Sequence, residues 1–551
     1  MLEISQIPIA LDDATTEQSL LDACRDAAQR TLRCKASDIT SVQLHKTSVD
    51  ARKKRDVHVV ASARIALRTP GLERSVLTRL SKRDTARVRL VEEEPVCFPS
   101  PLPAACLPKR RPVVVGAGCA GLFAALTLAE AGLAPLLIER GDDAARRKHA
   151  IDRFHRTRQL DTQSNIQFGL GGAGTFSDGK LNTGTKSLSH RLILQTLVDA
   201  GAPREILWDA KPHIGSDILP DVVTHIVERI VELGGEVRFR CRLTDIERDT
   251  TGAVSAVTLA REGANAVEEE RLPVTHLVLA CGHSARDVFA LLQRRNFALE
   301  RKTFAMGVRI EHLQRDIDRA QYGEAAGHPA LGAAPYKLVA HLPNGRNLFT
   351  FCMCPGGEVV AAASEEGGVV VNGASLHARA GRNANAALLV NITPDDLPGN
   401  DPLTGVELQR SCEKAAFELA GGDYRAPAQL VGDFLDNRPS TGSGRIEPTY
   451  PLGVAWTKLD SVLPPHVIET LRAGIPALGK KLRGYDDPEA VLTGIESRSS
   501  SPVTVVRDRT CHALGAQGLY PCGEGAGYAG GIMSAAADGI RCAQSLIDDL
   551  R

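Results

Sequence analysis

At 551 residues the chain exceeds what one hydrophobic core organises, so about two to four domains are expected. Lysine plus arginine and aspartate plus glutamate each number 66, so the formal net charge is zero and no global field draws the chain to nucleic acid or an anionic membrane. Thirteen cysteines, an odd number without CxxC pairs or Cys/His metal spacings, read as reduced thiols with no metal site. The first residues, MLEISQIPIALDDATTE, lack the basic start and apolar run of a secretion signal, which points to the cytoplasm.

Residues 1–95 have their own rhythm. Leu2–Ala10 alternates as a strand, Thr16–Cys34 is an amphipathic helix, and Val42–Val49 and Val57–Leu67 are strands. Gly71–Ser81 reads as a short helix and Ala86–Glu92 as a last strand. The order β-α-β-β-α-β predicts a ferredoxin-like α+β sandwich. Asp50-Ala-Arg-Lys-Lys-Arg55 is a basic turn, most simply a solvated hairpin, with docking to RNA or an acidic partner as the other reading. A proline-rich linker, residues 95–112, follows.

From Val113 to Ile138 the chain is almost wholly apolar, by composition long enough to span a bilayer. Its periodicity says otherwise. Val113-Val114-Val115 is a β-branched run that breaks at Gly116, Cys119–Ala131 has helical spacing and stops at Gly132, and Pro135–Ile138 is a second strand. Strand, turn, helix, strand is the unit of a parallel sheet buried on both faces. The turn is Gly116-x-Gly118-x-x-Gly121, the Rossmann pattern for a dinucleotide pyrophosphate. Gly116 allows the tight exit, Gly118 the close approach of phosphate, Gly121 the helix–strand packing, and Ala120 lies at the positive helix start. Glu139, 18 residues after Gly121, ends the second strand where a carboxylate accepts ribose hydroxyls, and Arg140 follows it.

Next comes a glycine-dense loop, Asn165 to Thr183. Asp221–Leu233 is a helix, Glu236–Arg240 and Leu243–Ile246 are strands, and His276–Ala280 is a buried strand ending at Gly282. Between about residues 300 and 490 the pattern is mixed, with Pro343-Asn344-Gly345 as a hairpin signal. The chain closes with a strand, a glycine-rich turn and a small-residue helix, from Gly518 to Leu550.

An early dinucleotide turn paired with Leu519-Tyr-Pro-Cys-Gly523-Glu524 and Gly530-Gly531-Ile532 resembles the bookends of the glutathione-reductase-like FAD superfamily. Phe168–Lys180, Lys211–Gly215, Gly282–Asp287, Phe351–Gly357, Glu496–Pro502 and Gly523–Gly531 together resemble the uncharacterised bacterial FAD-dependent dehydrogenase-like family with an N-terminal ferredoxin-like domain, over essentially the full length. Leu170 and Ala374 depart from that pattern, where Glu and Met are expected. The resemblance implies an α/β fold: a Rossmann-like FAD-binding domain in two parts (109–300 and 491–551), a mixed α+β substrate domain (301–490) and the N-terminal domain (1–95). It implies a cytoplasmic oxidoreductase with non-covalent FAD and a small-molecule substrate. Glu524 would accept from the ribitol, the backbone near Ile532 would face the flavin carbonyl region, Leu243 would touch adenine, and Gly282 and Gly523 would close the two late strands onto the cofactor.

Gly172, Gly174 and Thr175 are further cofactor candidates, since glycine permits close backbone approach. Three residues are candidates for chemistry. Lys180 has a loop-fixing pair with Asp178 as its alternative. His213 is suited to protonate substrate, or else is bonded to backbone in a packed loop. Arg498, beside a serine cluster, is suited to clamp a substrate carboxylate or phosphate, or else forms a structural ion pair. Cys352-Met353-Cys354 is an alternative redox element, although strand spacing disfavours a disulfide and simple burial is the plainer reading. No second GxGxxG is free for NAD(P)H, so either substrate reduces the flavin or nicotinamide visits transiently. The competing functions are a flavin monooxygenase and a flavin-loaded redox sensor or RNA- or protein-docking module.

Overall fold

The computed structural model describes residues 1–69, 71–92, 96–184, 187–262 and 267–551. Strands Leu2–Ile9, Ile39–Asp50, His58–Leu67 and Val88–Leu90 form one antiparallel sheet in the order second, third, first, fourth. Helix Glu17–Leu32 starts at a capping box between Thr16 and Ser19 and buries Cys24 and Ala28 against Leu2, Ile4 and Ile65. The helix expected over 71–81 ends at Leu77, and a separate short helix, Lys82–Thr85, begins beyond that range where the Ser81 hydroxyl accepts from the Asp84 N–H. The last strand is shorter than expected. The basic hairpin is not wholly solvated: Thr47 exchanges backbone hydrogen bonds with Trp208 and Ala210, and Lys54 donates to the Gln321 carbonyl. The expected domain boundary and linker start at residue 95 lie outside the described residues.

The dinucleotide unit folds as read. Strands Leu519–Pro521, Leu277–Leu279, Val113–Val115, Leu136–Ile138 and Glu236–Arg238 form a parallel sheet in that order. Four of the five are buried at every residue, the reason their sequence is uniformly apolar. Helix Cys119–Glu130 packs on the C-terminal helix Ile532–Asp549 at a glycine contact, where a Cβ on Gly539 would lie 2.1 Å from the Ala120 carbonyl. Among the described residues no helix is long and apolar enough to cross a membrane.

A seven-stranded sheet carries the largest core. Its order is Val339–His341, Asn347–Cys354, Asn383–Ile392, Phe304–Leu313, Val491–Glu496, Ala426–Leu430, Val454–Trp456, antiparallel except for the last pair. The Pro343-Asn344-Gly345 signal is the turn joining its first two strands. Strand Val491–Glu496, which the boundary expected at 490 assigns to the nucleotide part, pairs with Phe304–Leu313 near the sheet centre. The boundary fails there because an apolar run of six residues carries no mark of which sheet it joins.

Candidate active site

The three glycines of the first turn are held to glycine for different reasons. Gly116 has φ +96°, and a Cβ there would lie 2.5 Å from the Ala280 carbonyl; a Cβ on Gly121 would lie 1.8 Å from the Gly116 carbonyl. Both are required by the protein's own packing. Gly118 has ordinary extended backbone, and the nearest protein atom to a Cβ there is Gly172 Cα at 3.8 Å. The space beside Gly118 is cavity, and the first turn of the helix, with no side-chain cap, opens onto it through Cys119 and Ala120. A cradle bounded by uncapped N–H groups fits a pyrophosphate.

Glu139 lines the same cavity and accepts from the backbone N–H of Ala117 (2.8 Å), Gly141 (2.9 Å) and Gly169 (3.0 Å). A carboxylate accepts at about four lone-pair positions, so it still has capacity for a ribose hydroxyl. Arg140 pairs with Asp287 and lies over the Phe168 ring at 4.4 Å, at the cavity edge. Leu243 lines the same region. The glycine-rich loop is fixed from behind by Arg147, which is fully buried and donates to the carbonyls of Asn165, Ile166, Leu170 and Gly172. Burial lowers its guanidinium to about 10. Gly172, Gly174 and Gly282 face the cavity. Thr175 does not: its hydroxyl is turned inward onto the Leu170 carbonyl at 3.0 Å. At the C-terminal turn, Glu524, Gly530, Gly531 and Ile532 line the cavity, whereas Gly523 (φ +76°) packs behind it against Ala120.

The cavity measures about 520 Å³, and its far wall belongs to the seven-stranded sheet and its flanks, through Tyr336, Thr350, Cys352, Asn372 and Glu496. Lys180 reaches into it and stands 2.9 Å from Asp178 and 3.8 Å from Cys354 Sγ. Burial works against its charge, but Cys354, Cys352 and Asp178 outweigh that and raise it. Asp178 is fully buried and also accepts from both ends of Arg379. Beside Lys180, the buried Arg309 pairs with Glu496 (2.6 Å) and donates to Asn385, Asn372 and the Cys352 carbonyl.

Two expected catalytic residues are used otherwise. Arg498 lines the cavity, but it is buried with its guanidinium on both oxygens of Glu413 (3.0 and 2.7 Å) and on Ser364, so its charge is already paired; Arg286 grips the same carboxylate. His213 does not line the cavity: its Nε2 is bonded to the His377 carbonyl at 2.9 Å, its ring is stacked on His377, and burial lowers its pKa. Sequence reasoning missed His283, whose Nε2 meets the Arg498 carbonyl at 3.0 Å and whose Nδ1 lies 3.8 Å from Glu524. It also missed Arg309, whose signal is a charged pair, Arg309 and Glu311, inside the buried strand FAMGVRIEHL. Among the described residues, Cys522, Asp538 and Cys542 have metal-like spacing, but Arg507 lies on Asp538 and on Cys542 Sγ (3.1 Å), a cation where a metal's charge would be.

Residues 303–499 match the family described as FAD-dependent protein, C-terminal domain-like, and residues 111–150 match an FAD binding domain. Residues 1–66 match a domain of unknown function. Over 548 residues the chain is 43% identical to an uncharacterised protein of Clostridium beijerinckii, covering 99% of this chain and 98% of that one. Among solved structures it is similar to a flavin-dependent brominase (12% identity, 80% and 78% covered, TM-score 0.35) and to glycine oxidase of Bacillus cereus (11%, 80% and 96%, TM-score 0.33).

Proposed function

Because the chain belongs to the same family of FAD-dependent proteins as the Clostridium beijerinckii protein, and FAD is its cofactor, we propose that this FAD-dependent oxidoreductase moves a hydride between non-covalent FAD and a small substrate. The observation that carries this reading is the shared cavity: the nucleotide turn and the C-terminal turn form one wall, and the seven-stranded sheet forms the other. Bound FAD supplies two-electron chemistry; the protein's part is to hold it, seat the substrate and exclude water. The N–H groups at Cys119 and Ala120 would hold the pyrophosphate, Glu139 the ribose, Glu524 the ribitol, and the uncapped start of helix Ile532–Asp549 the flavin carbonyl region. Lys180 is the cation beside the substrate space. We assign Arg498 to anchoring the wall rather than to binding substrate, and His213 to packing.

We read the N-terminal sheet as a ferredoxin-like sandwich, the bookend motifs as those of the glutathione-reductase-like superfamily, and the compartment as the cytoplasm. Substrate, or nicotinamide visiting transiently, delivers the electrons, and neither membrane nor nucleic acid is a partner. The testing experiment is to denature purified protein and identify every released small molecule by mass spectrometry. FAD is expected, with any retained substrate beside it; FMN or no flavin would overturn the reading.

A further inference from the structure

We propose that Cys352 and Cys354 are a redox-active dithiol whose electron pair passes to FAD. The inference rests on FAD occupying the cavity that Cys352 lines, and not on the identity of the substrate.

In a regular strand two cysteines separated by one residue have Cα atoms about 6.6 Å apart and side chains standing parallel, near the limit for a disulfide. That regularity is absent here. The ladder with Asn383–Ile392 breaks between Phe351 and Cys354, and Cys352 has φ +40°, an uncommon conformation for a residue with a Cβ. The bulge folds the segment back on itself, so that the Cys354 thiol donates to the Cys352 carbonyl at 3.4 Å. The sequence argument against a disulfide assumed a geometry that this strand does not have.

The two sulfurs have different surroundings. Cys352 lines the cavity, whereas Cys354 is fully buried behind it. Lys180 Nζ and Arg309 Nη1 each stand 3.8 Å from Cys354 Sγ, and Arg309 also holds the Cys352 carbonyl at 3.1 Å. The neighbouring Cys354 sulfur, together with those two cations, holds Cys352 well below the usual thiol range, while Cys354 is raised. One thiolate facing the ligand space and one thiol behind it is the arrangement from which a disulfide closes. The other cavity cysteines lack it. Burial pushes Cys119 up to about 11 and Cys281 up to about 12, and it raises Cys241 and, against the effect of Cys542, Cys522, so all four stay thiols.

The step balances. The Cys352 thiolate and the Cys354 sulfur join, Cys354 loses its proton, and two electrons leave the pair. FAD takes up two electrons and one proton, so no further reagent is needed.

The test is an anaerobic dithionite titration of the holoprotein, with alkylation and peptide mass mapping at each end. Wild type should consume about twice the reductant per bound FAD that the flavin alone requires, because each couple takes two electrons. Cys352→Ser and Cys354→Ser should each fall to the flavin-only amount at unchanged FAD content. Air-oxidised wild type should leave both thiols unlabelled, and the reduced protein should label both. Uptake of only the flavin's share with both thiols alkylated in oxidised protein would overturn the proposal, as would extra uptake that persists in Cys352→Ser. Released FAD is measured on the same samples, so a failed cofactor reading appears there, and the alkylation pattern stays readable without it.

Discussion

Gly118 is where the chain's own packing stops explaining its sequence. A Cβ there meets no protein atom nearer than 3.8 Å beyond its chain neighbours, so Gly118→Val should fold and yet lose FAD, because the added methyls take the pyrophosphate's place. Released flavin, with circular dichroism as the folding control, checks this; full occupancy would refute the cradle. Glu524→Ala should retain the fold and bind FAD more weakly by about 1.5–3 kcal/mol, the loss of one hydrogen bond to a charged acceptor. Unchanged affinity would show that Glu524 does not hold the ribitol. These residues were legible because their logic is local: a turn, a strand end and a helix start lie within a few positions of one another. Arg498 and His213 were not. Their partners, Glu413 and the His377 carbonyl, are 85 and 164 positions away, and an arginine beside serines looks the same whether it awaits a substrate or is already paired.

At the scale of elements, period and β-branching recovered the short apolar strands, since burial on both faces leaves a strong mark. What they did not show was which sheet a strand joins or where a hydroxyl starts a new helix, as at Val491–Glu496 and Ser81. Nor did they show the charge cluster that fastens the two walls of the cavity. Arg286 on helix Arg286–Arg294 and Arg498 both close on Glu413 of helix Thr404–Leu419, with Glu365 beside them. Burial opposes the Glu413 charge, but Arg498 and Arg286 outweigh it and hold the carboxyl well below the usual carboxylate range. Glu413→Gln leaves two buried cations without their anion and should cost about 3–5 kcal/mol in denaturant unfolding at neutral pH. A carboxyl depressed on folding stabilises fully above its unfolded value, about 4.3, and loses that contribution as pH falls towards its folded value. The gap between wild type and Glu413→Gln should therefore narrow below about pH 4. A gap that is constant with pH would place the cost in packing instead.

At the scale of the whole molecule, the chain leaves the nucleotide sheet after Leu277–Leu279, builds the seven-stranded sheet, and returns to lay Leu519–Pro521 beside the strand it left. The paired turns at the two ends of the sequence made that return legible; the face the inserted sheet presents was not, because it is assembled from strands, a loop and a bulge far apart in the sequence. The same architecture bears on how electrons arrive. The glycine-dense segment 169–174 forms a short 3₁₀ turn against the first dinucleotide turn, and 523–531 leads into the C-terminal helix that packs on Cys119–Glu130. Both are committed to one cavity, which leaves neither as a separate nicotinamide site. Reduction of the flavin by NADH or NADPH, followed by stopped-flow absorbance under anaerobic conditions, should therefore be slow and should rise without saturation into the millimolar range. A transient visitor must share the space over Lys180 and Cys352 with substrate, so excess substrate should slow it further. Fast reduction that saturates at micromolar nucleotide would mean that the sheet wall itself forms a nicotinamide site, and the cavity would then have to be reassigned from substrate to coenzyme.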